Sequence, residues 1–125
     1  MTALFHAHSG LRYLVLLAGA VALAWFLYGW LRGTPFARPA PVFLATLIGL
    51  VDLQVVLGLV LYLGGRTAPG IIGHLALMLG AAVVLHLASL LRRRQAGGFG
   101  LPLAGTALAM ALIVLGILAI GRAVL

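Results

Sequence analysis

The sequence predicts an all-α integral membrane protein, a single up-down-up-down four-helix bundle over residues 1–125, and three observations carry that prediction. Of the 125 residues, 65% are hydrophobic, with eight basic side chains and one acidic. That is too little polarity to clothe a soluble domain. Four apolar stretches, 3–31, 41–63, 69–91 and 101–120, each reach the length of about 20 residues that a membrane crossing needs. Short turns rich in proline and glycine separate them.

Helix 1 opens with the polar cluster His6, His8, Ser9 and Arg12 and ends among Trp25, Phe26, Tyr28 and Trp30, aromatic residues suited to a water–lipid interface. No lysine or arginine precedes Arg12, whereas cleavable signal sequences begin with a basic region, so this helix is expected to stay in the mature protein. Pro35, Pro39 and Pro41 stiffen the turn that follows. Helix 2 carries Asp52, the one acidic residue, near its middle, with Gln54 beside it. The segment from Gly64 to Gly70 is a second turn. Helix 3 holds His74, Met78 and His86 and closes on Arg92, Arg93 and Arg94, and a glycine-rich loop is expected from Gln95 to Gly100. Helix 4 has no ionisable residue before Arg122 and reads as scaffold, Met110 being its one side chain with a ligand atom. Small residues that let helices approach in lipid include Ala18, Ala22, Gly73, Gly80, Ala81, Gly105 and Ala109.

Composition also excludes several chemistries. With no cysteine, covalent haem attachment, thiolate metal sites and disulfides are ruled out, so a bound metal must use histidine. The net charge of +7 comes entirely from arginines at or near helix ends, where membrane topology explains it, and no nucleic-acid partner is expected. Arginine counting sets Arg32, Arg38 and Arg92 to Arg94 against Arg66, Arg122 and Arg12. The positive-inside rule then predicts cytoplasmic first and third loops, with both termini outside.

All four histidines fall on helices 1 and 3. Neutral imidazole ligates iron well, and helical bundles build cofactor sites from side chains on facing helices. Counted from their outer ends, His8 and His74 lie at similar depth. The expectation is a haem between helices 1 and 3, with Gly10 and Gly73 admitting a flat macrocycle to the backbone and Met78 close to it. The competing reading is that both imidazoles sit at the interface, satisfied by water and carbonyls.

His6 and His8 point about 200° apart on a helix. His8, deeper and sharing a face with Arg12, is the preferred ligand, and His6 replaces it only if the helix begins irregularly. His74 and His86 are separated by about 120° of turn, which supports one haem b better than two. His86 is left to bond a carbonyl, contact a quinone, or ligate a second haem with Met110 or a neighbouring subunit.

Arg12 is expected to meet Asp52, a haem propionate or the surface, because an unpartnered charge in lipid is costly. Arg66 is a second partner for propionates. Asp52 reads either as a proton-uptake group beside a quinone or haem, with Gln54, or as a structural acid that is paired or protonated.

The run His6-Ala7-His8-Ser9-Gly10-Leu11-Arg12-Tyr13, the Asp52-Leu53-Gln54 group followed by Leu57-Gly58-Leu59, and the helix from His74 to His86 ending in arginines together resemble a family of small bacterial four-helix membrane proteins labelled cytochrome b-like. The resemblance spans most of the chain. It implies b-type haem binding and membrane electron transfer, with His8 and His74 matching the family's recurring histidines. This chain departs from the helix 2 motif in having Asp52 where the family has a histidine, which removes one candidate ligand.

The expected function is that of a b-type haem protein in the bacterial inner membrane, coupled to a quinone or a partner redox subunit. It would be an electron-transfer component rather than a self-contained enzyme, working as a homo-oligomer or as a subunit of a membrane redox complex. Two rivals are a haem-free structural or assembly subunit, and a proton or small-solute conduit using Arg12, Asp52 and Gln54.

Overall fold

The computed structural model describes residues 2–94 and 98–122, and over them the chain forms four α-helices and no strand. They are α1 (Thr2–Arg32), α2 (Ala40–Leu63), α3 (Ile71–Arg94) and α4 (Gly100–Ala119), and each is long and apolar enough to cross a membrane. The hydrocarbon core offers no water to backbone N–H and C=O groups, so a spanning segment must satisfy them internally, as a helix does. Pro69 and Gly70 belong to the turn rather than to α3, and Gly70 has φ 81°, a left-handed conformation that suits glycine. At its other end α3 continues through Arg94, more than two turns past His86. Of the loop expected from Gln95 to Gly100, residues 95–97 lie outside the described residues.

Each helix packs on two others, α1 against α2 and α4, and α3 against α2 and α4, so α1 and α3 face one another diagonally across the bundle axis. The densest packing lies within the α3–α4 and α1–α2 hairpins, and the seams between hairpins are looser. Because the helices are apolar all round, no amphipathic stripe marks the inward face. The inward face mixes sizes: Ala22, Ala81 and Ala109 are fully buried beside Phe26, Leu47 and Leu85, while Leu17, Val56, Val83 and Leu115 point outward. Glycines at the contacts take in a neighbouring side chain, Gly105 receiving Ala88, Gly19 the thioether of Met110, and Gly29 the ring of Phe99. Gly73, expected among these packing positions, is instead exposed, with open space where a Cβ would stand.

The two ends of the bundle differ. Where α1 ends and α4 begins, Phe26, Phe36 and Phe99 form a cluster that fills the core, with Phe36 and Phe99 centroids 5.2 Å apart and Phe26 wholly buried. The Arg92 guanidinium lies 4.5 Å from the Phe36 ring centroid and covers that end. The opposite end is not filled.

Candidate functional site

The start of α1, the end of α2, the start of α3 and the end of α4 surround a cavity of about 210 Å³. Its apolar wall includes Val15, Leu61, Met78, Ile113 and Ile117, and its polar groups include His8, His74 and Gln54. Arg12, Arg66 and Arg122 also line it, and among the described residues no carboxylate does.

His74 is buried on α3, and its Nδ1–H donates to the Gly116 carbonyl of α4 at 2.7 Å. That carbonyl can only accept, so it fixes the tautomer and leaves Nε2 carrying a lone pair. This is the arrangement in which a metal-ligating histidine is usually held. A Cβ at Gly116 would press on the Met78 sulfur at 3.3 Å and stand in ordinary contact, 3.6 Å, with His74 Nδ1. On the diagonal helix, the His8 ring lies against Gly58 of α2, where an added Cβ would come within 3.1 Å of Cε1. The Gln54 amide Nε2–H donates to the His8 carbonyl at 2.8 Å and so ties α2 to α1 at this level.

Three buried polar atoms in this cavity have no hydrogen-bond partner among the described residues: His8 Nδ1, Arg12 Nε and Gln54 Oε1. Gln54 is only 6% exposed. Arg92 Nε and Thr106 Oγ1, outside the cavity, are unpartnered too. Each such atom costs about 1–3 kcal/mol when left unsatisfied, so the three at this one site would be relieved by a polar guest. The arginines point the same way. Arg66 lies 3.5 Å and Arg122 5.4 Å from the centroid of the Phe5 ring, and the Arg12 guanidinium donates to the Tyr13 hydroxyl at 2.7 Å. Aromatic rings hold these cations without neutralising them.

Several expected site residues fall elsewhere. Gly10 and Gly73 are exposed and have open space around them, so neither brings backbone to the cavity; Gly58 and Gly116, on the helices that flank the diagonal pair, do so instead. His6 is exposed, edge-on to Phe5, and does not line the cavity, which agrees with its pointing away from His8. Arg12 and Asp52 are not paired. Asp52 is bonded to His86, whose Nε2 lies 2.8 Å from Oδ2 and 3.0 Å from Oδ1, on the outer surface of the α2–α3 seam. Met110, weighed as a ligand with His86, is buried against Gly19.

Asp52 and Gln54 therefore serve opposite faces, because two residues along a helix turn the side chain by about 200°. The Asp52–His86 pair was findable from the sequence by depth counting. Asp52 lies eleven residues before the end of α2 and His86 fifteen after the start of α3, an offset of about 6 Å that side chains span. Arg122 was not expected at the site. It follows α4 immediately, and the convergence of its helix end with that of α2 was the missing information.

Among the described residues no group of three or more histidines and acids is placed to hold a metal ion. Comparison with protein-family models, with curated proteins and with solved structures finds no match.

Proposed function

We propose that this chain is a membrane-embedded b-type haem protein that carries electrons, with His8 and His74 as the axial ligands. The observation that supports this most is that imidazoles from diagonally opposed helices line one cavity together with three guanidiniums that have no carboxylate partner among the described residues. A haem matches each part of that lining. Iron takes imidazole nitrogen, and His74 has Nε2 left over once Nδ1–H is held by Gly116. The macrocycle suits the walls of Ile113, Ile117, Val15 and Leu61, and two propionates suit Arg12, Arg66 and Arg122. Bound there, the group would supply a one-electron redox couple in the plane of the membrane.

The protein's own part is to hold and tune. The Gly116 carbonyl orients His74 and raises its basicity, Gln54 fixes the backbone that carries His8, and the arginines favour the form with more negative charge. One haem is proposed, since the second pair of polar groups, Asp52 and His86, bond each other. By arginine counting the cavity opens on the outer side of a bacterial inner membrane, with the first and third loops cytoplasmic. A chain this small would pass its electrons to a quinone, to a partner redox subunit, or to a second copy of itself.

The conduit reading loses its support because Asp52 and Gln54 face opposite ways and, of its three residues, only Arg12 and Gln54 line the cavity. The structural-subunit reading offers no partner for three orphaned polar atoms. The deciding measurement is a dithionite-reduced minus oxidised spectrum of the purified protein expressed with haem supplied. The wild type should show a Soret band and sharp α and β bands, and His8→Ala and His74→Ala should each lose the low-spin signature. A wild type with no Soret band ends the proposal.

A further inference from the structure

The Asp52–His86 pair sits at a depth where polar groups are expensive. Asp52 is twelve residues from the start of α2 and eleven from its end; His86 is eight residues from the end of α3. Both are therefore at least about 12 Å from either helix end along the axis. Yet the pair is open to the outside of the bundle, with side chains 57% and 43% exposed for His86 and Asp52, among the outward residues Leu53, Val56, Leu79, Val83 and Leu90. In a membrane-spanning chain that surroundings is hydrocarbon. Intramembrane ionisable groups normally face the bundle interior or a water-filled cavity, and this pair does neither. It also plays no part in the His8–His74 cavity, which it does not line.

The hydrogen-bonding state of its outward atom follows from charge. A net charge on the pair is strongly disfavoured in hydrocarbon, and with both carboxyl oxygens facing Nε2 a neutral pair carrying hydrogens on both Nε2 and the acid would leave the acid's hydrogen without an acceptor, so two net-neutral arrangements remain. Either Asp52 is ionised and His86 is protonated on both nitrogens, or Asp52 is protonated, donates to His86 Nε2, and leaves the imidazole hydrogen on Nδ1. In both, His86 Nδ1 bears a hydrogen. No acceptor for it is found among the described residues, because both bonds of this imidazole run from Nε2 to the carboxylate. The outward face of the pair is thus a hydrogen-bond donor at mid-membrane depth, flanked by aliphatic side chains. Phospholipid ester carbonyls stay at the interface and do not reach it. Its complement is a carbonyl carried by a molecule that dissolves in the bilayer interior.

We propose that Asp52 and His86 form a binding site, on the α2–α3 seam, for the carbonyl of a lipid-soluble quinone. Binding stands on the pair alone; what the bound quinone is for, as the redox partner of the cavity, rests on the electron-transfer reading above. His86 contributes the N–H to the quinone oxygen, Asp52 orients the ring and holds its hydrogen outward, and Val56, Leu79 and Val83 contact the head group and tail.

The test is photolabelling in lipid nanodiscs with an azido-substituted benzoquinone bearing a short isoprenoid tail, followed by peptide mapping. In the wild type the label should fall on the α2 and α3 segments around Asp52 and His86. His86→Ala should lower it about tenfold, while Asp52→Asn should largely retain it, because the asparagine amide donates to Nε2 and again leaves hydrogen on Nδ1. The His8→Ala/His74→Ala double variant should be labelled as the wild type is, which separates this site from the fate of the haem proposal. Label concentrated at the Tyr62–Arg66 end, or equal labelling in wild type and His86→Ala, overturns the inference. So does efficient disulfide formation between copies carrying Val83→Cys in this otherwise cysteine-free chain, since a second copy would then occupy the seam.

Discussion

One bundle, built from four helices of similar composition, ends in two different ways. At one end Phe26, Phe36 and Phe99 interlock and leave no room, with a cation laid over the outermost ring. At the other, the same four helices hold open a cavity lined by two imidazoles, an amide and three guanidiniums. Packing alone does not account for the second end. Lipid gives helices no hydrophobic drive to associate, so stability comes from close contact and satisfied polar groups, and both are forgone around the cavity. Of the five buried polar atoms left unpartnered among the described residues, three belong to this end, the other two being Arg92 Nε and Thr106 Oγ1, and a concentration of that kind calls for an explanation that packing does not give.

That contrast is open to attack at several points. The largest effect is expected from His74→Ala, which removes both the proposed ligand and the bond to Gly116. Haem retention through purification should fall by more than about 100-fold, beyond the 10–100-fold typical of losing an orienting partner alone, as read from the Soret absorbance per protein. Next comes filling the cavity: Gly58→Leu drives a side chain into the His8 ring and should abolish bis-imidazole spectra while leaving the protein helical by circular dichroism. Gln54→Leu should act more mildly, lowering haem affinity by about 10-fold, because it frees the backbone under His8 but spares the ligands.

The closed end should respond in the opposite sense. Phe99→Ala opens a void under Gly29 and Phe26 and should lower thermal stability with the spectrum unchanged. Its cost should be below the about 3–5 kcal/mol of a water-soluble core, because the transfer part is missing in lipid and only the cavity part remains. The smallest change is expected from Gly10→Ala and Gly73→Ala. Nothing lies near either position, so each should bind haem as the wild type does and gain up to about 1 kcal/mol of helix stability. If Gly73→Ala disturbed the spectrum as Gly58→Leu does, the assignment of the cavity wall would be wrong.

The sequence by itself determined that this is a membrane protein of four spanning helices, where each begins and ends to within a few residues, and which few side chains are worth chemical attention. It could do so because hydrocarbon imposes a single length and a single backbone solution on every crossing, and because a polar residue in such a chain is conspicuous. Depth, which is residue count times rise, led to the pairing of His8 with His74, and both line the one cavity. Rotation about each helix is another matter. With every face apolar, the sequence of α2 or α4 carries no stripe to say which way it turns, so that Gly58 and Gly116 rather than Gly10 and Gly73 approach the imidazoles, that Asp52 meets His86 rather than Arg12, and that Arg122 joins the cavity mouth were decided only when side chains of four helices packed against one another.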